Sequence, residues 1–394
     1  MFLDLKDVDI LEISEEARNA KNKDKKTINA TLGILLDEEG VLYSIKSVDE
    51  VLSEMNMTLA KSYFPQDGGI LYKRSLLQYL FKTEIDDILG TFHTASTFTA
   101  GGSGALSLAF DTFAGTVILP NLRWNEYDLI LESYHKSKKI YSMFKENKFN
   151  IESLEECIKS VDDDLIIVIN DPAHNPTGYT LKQEEHSELI RIINHYSMNK
   201  NITVLYDIAY VDYSEKNYEK TVFHNFIHYN ENVNILIAFS GSKSFGVYGF
   251  RMGALIYLNK SESKTNAIQL IFYDKVSAIY GAPFSPSVML LNEIIHKNNL
   301  KSEQTEAYNI IVKRAYLFIE EAASLDIPIY PYVEGFFITV ITLDPVRFTE
   351  LLKKHKVYVI PTENGIRIAL SAINLEEVKR IVKIIKKVSD ELDV

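Results

Sequence analysis

The chain has 394 residues, 46% of them hydrophobic and 24% charged, which excludes a disordered or fibrous protein. That length exceeds the roughly 250–300 residues at which a single core stops growing, so two unequal domains are expected. A formal net charge of −12 argues against a nucleic-acid or anionic-membrane surface and leaves room for a small phosphorylated ligand held locally.

From the amino terminus, Met1 to Ser14 alternates acidic and apolar residues, without the basic start and apolar run of a signal peptide. Lys21 to Lys26 reads as a solvated surface segment. No apolar run approaches the roughly 18 residues of a membrane span, and the single Cys157 requires no oxidising compartment. A cytoplasmic location is expected, with no nucleic-acid or membrane partner.

Short β-branched runs follow at Thr116–Leu119, Leu165–Ile169, Ile202–Tyr206, Ile235–Phe239 and Ala254–Leu258, separated by helical patterns. Near-continuous apolar strands alternating with helices predict an α/β fold: a mostly parallel sheet flanked by helices. Ligands bind beyond the carboxyl ends of such strands, so the polar residues there are the ones to inspect. Residues 285–323 predict a connecting helical stretch. Beyond it lie strands at Phe336–Ile341, Val357–Ile360 and Gly365–Leu370 and helices at Arg347–His355 and Leu375–Leu392. These predict a large domain over 48–295 and a smaller α+β domain formed by 1–47 with 296–394.

The first chemical motif in the chain is Gly101-Gly102-Ser103-Gly104-Ala105-Leu106, which opens a helical pattern; its backbone amides could cradle a phosphate. Trp124 could stack on an aromatic ligand or belong to the core. After Leu165–Ile169 comes Asn170-Asp171-Pro172-Ala173-His174-Asn175-Pro176-Thr177-Gly178, where the prolines hold Asn175 extended in either a site or a plain turn. Asp207 ends the next strand, with Tyr210 three residues on. An acid there could pair with a protonated ring nitrogen, or cap a helix. Ser240-Gly241-Ser242-Lys243 and then Arg251 follow the next strand. A lysine so placed is a Schiff-base nucleophile if its pKa is depressed, and an exposed loop residue if not; the serines and Arg251 could bind a dianionic phosphate. Arg367, in the last strand, could clamp a carboxylate or form a surface ion pair.

Together these motifs, with Gly33 in Leu32-Gly33-Ile34 and Tyr63 in Tyr63-Phe64-Pro65, resemble the class I aminotransferases of fold type I, the aspartate and aromatic aminotransferase group, over almost the whole chain. The resemblance implies a pyridoxal 5'-phosphate enzyme of amino-acid metabolism. Such an enzyme moves an amino group from an L-amino acid to a 2-oxo acid by a ping-pong mechanism. It further implies catalytic roles for Lys243, which would hold the cofactor as a Schiff base and move the proton, and for Asp207 and Tyr210. Gly102, Ser103, Ser240 and Arg251 would bind the phosphate, and Trp124 would stack on the ring. Asn175 and Tyr210 would bond the ring oxygen, while Tyr63 would reach in from the second subunit of a homodimer. Arg367 would take the substrate carboxylate, with Gly33, Asn175 and Trp124 beside the substrate; no metal is implied.

Four positions depart from the family pattern: Tyr127 and Asn170 stand where histidines are usual, Gly101 where a serine is, and Ser277 where dicarboxylate-specific members carry an arginine. The alternative function is a carbon–sulfur lyase or other β-eliminating enzyme on the same fold. A noncatalytic regulator would need a DNA-binding module, for which the sequence has no basic helical extension.

Overall fold

The computed structural model describes residues 10–392 apart from 163, 216 and 217, so the first nine residues of the amino-terminal segment lie outside the described residues. All five apolar runs are strands of one seven-stranded sheet, ordered His93–Ala100, Met252–Asn259, Asn234–Ser240, Ile202–Asp207, Leu165–Asn170, Thr116–Pro120, Lys138–Tyr141. Alternate residues of these strands enter different cores. Ile167, Val204, Ile237 and Ile256 belong to one apolar cluster, and Ile166, Leu205, Leu236 and Leu255 to another. Burial of both faces is why the strands read as continuous apolar runs. Truncating one such side chain to alanine costs about 2–5 kcal/mol.

Two strands lack that signal. Lys138–Tyr141 sits at the sheet edge with Lys139 and Ile140 exposed, and His93–Ala100 is buried over most of its length but is built, after its exposed His93, from Thr, Ser and Ala with a single Phe. The sheet is mostly parallel, but Met252–Asn259 runs antiparallel to both its neighbours. Its beginning therefore lies at the edge where the other strands end: Met252 faces Ala100 and Gly253 faces Ser240. This reversal carries Arg251 to the carboxyl-end edge.

The carboxyl-terminal part forms a three-stranded sheet of Phe337–Ile341, Gly365–Ala369 and Ile360–Thr362, covered by the helices Pro345–Lys354 and Leu375–Leu392 over its own apolar cluster. The single strand expected at Val357–Ile360 is instead split. Val357–Tyr358 pairs with Ile28–Asn29, and Ile360–Thr362 pairs with Gly365–Ala369. The helical stretch expected over 285–323 breaks into Ser285–Ile294 and Leu300–Ser324 around Asn298-Asn299, two weak helix formers. Lys21 is tethered to Glu377 at 2.9 Å rather than merely solvated. The amino-terminal segment is shared, since Ile28 and Ala30 pack in the carboxyl-terminal cluster and Ile45, Val48 and Val51 in the main one.

Candidate active site

Three adjacent strand ends supply the floor. Asn170 and Asp207 stand side by side in register, and Ala238 lies beside Asp207 on the next strand, two residues before Ser240. Asp207 is buried. Its Oδ2 accepts the Tyr127 hydroxyl at 2.5 Å, and its Oδ1 accepts the Ala209 N–H at 3.1 Å. The aspartate thus makes the local turn bond of a cap as well as facing its neighbours. Burial raises its pKa, against the opposing hydrogen bonds from Tyr127 and Ala209 and the Lys243 charge. Asn170 donates to the Asp207 carbonyl at 3.0 Å and accepts the Asn175 N–H at 2.8 Å, so one amide joins the two motifs.

Lys243 lies in the one-turn helix Gly241–Ser244, directly after the strand Asn234–Ser240. Its Nζ sits over the Tyr210 ring at 5.7 Å from the centroid. Burial pushes the amine down to about 8; Asp207 pulls it up, and Arg251 pushes it further down. Tyr210 is buried against Phe336 and Phe337 at 5.2 and 5.8 Å, and burial raises its phenol.

Arg367 is also buried, with its guanidinium 4.5 Å from the Phe337 ring centroid. It donates to Asn175 Oδ1 at 3.2 Å and to the Thr31 carbonyl at 2.6 Å, while its Nε has no partner. Burial lowers this arginine to about 10. A buried cation whose hydrogen bonds go only to neutral oxygens is expensive unless an anion arrives. Gly33 lies against the same Phe337: a Cβ there would meet the ring at 2.5 Å. Tyr248 holds this segment: its hydroxyl oxygen accepts the Leu35 N–H at 2.9 Å.

A cradle adjoins the floor. The helix Gly101–Thr112 begins without a side-chain cap, and past Gly101, whose N–H is engaged, the N–H groups of its first turn can meet a ligand. Ser240 lies across from Gly102, where a Cβ would approach the serine Cβ to 3.2 Å. Arg251 Nη2 reaches the Ala100 carbonyl at 3.4 Å, and Gly101 donates to the Arg251 carbonyl at 2.9 Å. Gly101 has φ +70°, and a Cβ on it would lie 2.6 Å from Arg251 Nη2. These two constraints account for glycine at a position where the resembling family uses serine. Free helix amides, Ser103, Ser240 and an arginine are a donor set for a phosphate dianion, and Lys243 and Asp207 lie beside them. The residues present therefore fit pyridoxal phosphate.

The structure links Asp207, Lys243, Tyr210, Asn175, Arg367 and Gly33 through shared neighbours and sets Gly102 against Ser240, with Arg251 across from the residues that precede Gly102. Trp124 meets Tyr127 edge to face at 5.7 Å, beside Asp207. Tyr63 is 94% exposed. Sequence reasoning missed Thr31, Tyr248, Phe336 and Phe337, which touch the site through long-range contacts; only Tyr248, set between Lys243 and Arg251, had a local signal.

Residues 26–385 match the family model for aminotransferase class I and II. The mitochondrial aspartate aminotransferase of Xenopus tropicalis is 24% identical over 325 residues, covering 80% of this chain and 74% of that protein. A crystal structure of an aminotransferase from Anaerococcus prevotii superposes with a TM-score of 0.88 at 26% identity, covering 96% of this chain and 95% of that one. An aromatic-amino-acid aminotransferase from Burkholderia pseudomallei, covalently bound to pyridoxal phosphate, gives a TM-score of 0.81 at 19% identity over 95% and 96% of the two chains. These findings favour amino transfer over β-elimination. The chain belongs to the class I and II aminotransferases and is a pyridoxal-phosphate-dependent transaminase of fold type I, with amino acids and 2-oxo acids as its small-molecule substrates.

Proposed function

We propose that this transaminase accepts neutral and aromatic amino acids at least as readily as aspartate, and that Lys243, Asp207 and Tyr210 are its catalytic residues. The observation that carries the site assignment is the depressed Lys243 amine, lying over Tyr210 within the influence of Asp207 and next to the phosphate cradle. When bound, pyridoxal phosphate supplies an electron sink for the charge left on the substrate α-carbon. Lys243 is the residue that would hold the cofactor, and its amine would move the proton at that carbon. Asp207, held by Tyr127, would keep a proton on the ring nitrogen. Asn175 and Tyr210 would orient the ring oxygen, and Trp124 would stack on the ring. Gly102, Ser103, Ser240 and Arg251 hold the phosphate. Arg367 takes the α-carboxylate through its unpartnered Nε and its fork of donors, with Gly33 at the substrate's edge.

Substrate preference turns on the distal end. Ser277 offers no charge, and the other candidate cations are engaged: Lys275 with Asp111, Arg123 with Asp128, and the fully buried Arg314 with Glu38 and three backbone carbonyls. A dicarboxylate therefore gains no distal ion pair from these residues. Comparing kcat/KM for aspartate, glutamate, phenylalanine, alanine and methionine tests this. An advantage for aspartate of about a hundredfold over every neutral donor would overturn it.

The enzyme is proposed to be a homodimer with Tyr63 contributed across the interface. Tyr63, Ile70, Leu71, Leu270, Ile279 and Phe284 are exposed apolar residues, and the segments carrying them are tied together by Ser285 Oγ to the Ser62 carbonyl at 2.7 Å and Tyr273 to Gln66 at 2.7 Å. Exposed apolar side chains on neighbouring segments support an interface there; a single-chain mass in sedimentation would refute it. We propose a division near residues 48 and 295, supported by the two apolar clusters although Ile45 and Leu300 from beyond those bounds also pack in the main one, and we place the enzyme in the cytoplasm because nothing in its cysteine content calls for an oxidising compartment. No helix among the described residues is long and apolar enough to cross a membrane.

A further inference from the structure

We propose that Glu334 is a positioning residue that fixes Asn175, Tyr210 and Arg367 relative to one another by pinning three separate segments with one buried carboxylate. The proposal rests on the site assignment above. Glu334 lies in the loop that leads from Tyr332 into the strand Phe337–Ile341, and it is 3% exposed. Its Oε1 accepts Ser214 Oγ at 2.6 Å and Thr180 Oγ1 at 2.8 Å, and its Oε2 accepts the Glu215 N–H at 2.8 Å.

Each donor belongs to a segment with a stake in the site. Thr180 ends the turn that carries Asn175, and its Oγ1 also accepts the Ala173 N–H at 2.9 Å, so the carboxylate reaches the start of that turn through one hydroxyl. Ser214 and Glu215 close the stretch that begins at Asp207 and Tyr210. On the acceptor's own segment, Val333 and Glu334 both donate to the Gly178 carbonyl, at 2.8 and 2.9 Å. That segment delivers Phe336 and Phe337 behind Tyr210 and Arg367.

The fit leaves no slack. A Cβ on Gly178 would meet the Tyr332 ring at 2.3 Å, and one on Gly335 would meet Ala173 Cβ at 2.4 Å. Thr339 adds a bond to the Pro176 carbonyl at 2.7 Å. A carboxylate is suited to this junction because it alone accepts from three converging donors without a donor of its own. Burial holds its pKa above the ordinary value, with Ser214, Glu215 and Thr180 opposing. Retaining so costly a group is justified by what it orders.

The test compares Glu334→Ala with the milder Glu334→Gln in the holoenzyme. Because the site assignment puts Asn175 and Arg367 on the substrate and Tyr210 beside the reacting atoms, Glu334→Ala should raise KM for the amino acid by roughly tenfold with a smaller fall in kcat, and Glu334→Gln should lie in between. Hydrogen exchange reads the clamp without any activity: the amides of Ala173, Gly178, Val333 and Glu334 should lose protection by about tenfold while central-strand amides such as Val204 keep theirs. Unchanged protection at those four amides overturns the clamp. Protection lost there with KM unmoved in both variants overturns the positioning role. A wild-type protein that neither binds pyridoxal phosphate nor transaminates would instead sink the site assignment, and the exchange measurement would still decide the clamp.

Discussion

At the floor of the site, Asp207, Tyr127, Asn175, Tyr210 and Arg367 are buried and joined by hydrogen bonds or ring contacts to residues far away in sequence. At the rim, Arg251 is exposed and holds only backbone carbonyls, and Tyr63 stands almost wholly in solvent. The floor is prearranged before any ligand arrives, whereas the rim is a set of donors whose arrangement a ligand or a second chain would complete. Chemistry that needs tuned proton affinities belongs on the floor, where low polarity magnifies each charge. Retention of the cofactor belongs to the rim, where water screens the contacts. Substitutions at the two places should therefore fail in different ways.

The largest effect is expected at the floor. Lys243→Ala should lower turnover by on the order of 10^4-fold or more and abolish covalent capture of pyridoxal phosphate, since the variant loses both nucleophile and proton carrier. Borohydride trapping followed by peptide mapping checks the assignment: label on another lysine removes Lys243 from the floor altogether.

Asp207→Asn should come next. The amide cannot keep a cationic ring nitrogen, so single-turnover proton transfer should slow by on the order of 10^2-fold with the cofactor still bound. A pH signature accompanies it. The Lys243 amine is mostly neutral above about pH 8, so capture of added pyridoxal phosphate by the cofactor-free enzyme should accelerate as pH rises to that value and then level off. The Asp207 charge raises that midpoint, so Asp207→Asn should move it to lower pH. A midpoint that stays put, together with an unchanged turnover, would reduce Asp207 to a residue that caps a turn.

This division also explains what could be read in advance. The floor's principal residues follow long apolar runs, and burial of both sheet faces made those runs conspicuous. Lys243, Asp207 and Asn175 were therefore legible as strand-end residues. The strand His93–Ala100 was not, because hydroxyl and methyl side chains give no apolar signal, and neither was the reversed direction of Met252–Asn259, which depends on a partner about 150 positions away in the chain. Thr31, Phe337 and Glu334 escaped for the same reason: each matters through a segment that meets it only in three dimensions. Tyr127 stood out as a departure from the family pattern at the position that supports the aspartate, where a hydrogen bond was the expected support, and the structure has that bond to Asp207.

The smallest effect is expected at the rim, from Gly101→Ser. Restoring the hydroxyl that the resembling family carries adds a donor to the phosphate cradle and would ordinarily tighten it. Here the backbone stands at φ +70°, where a residue with a Cβ costs about 1–2 kcal/mol. The new Cβ would also lie 2.6 Å from Arg251 Nη2, so strain is relieved either by turning the helix start or by pushing the guanidinium aside. Both movements displace a phosphate donor, and the guanidinium, as the flexible partner, should yield first. The dissociation constant for pyridoxal phosphate should therefore rise by roughly three- to tenfold, measured by absorbance after dialysis against graded cofactor. Tighter binding instead would mean that the cradle has room for a side chain at residue 101, and that the rim is as prearranged as the floor.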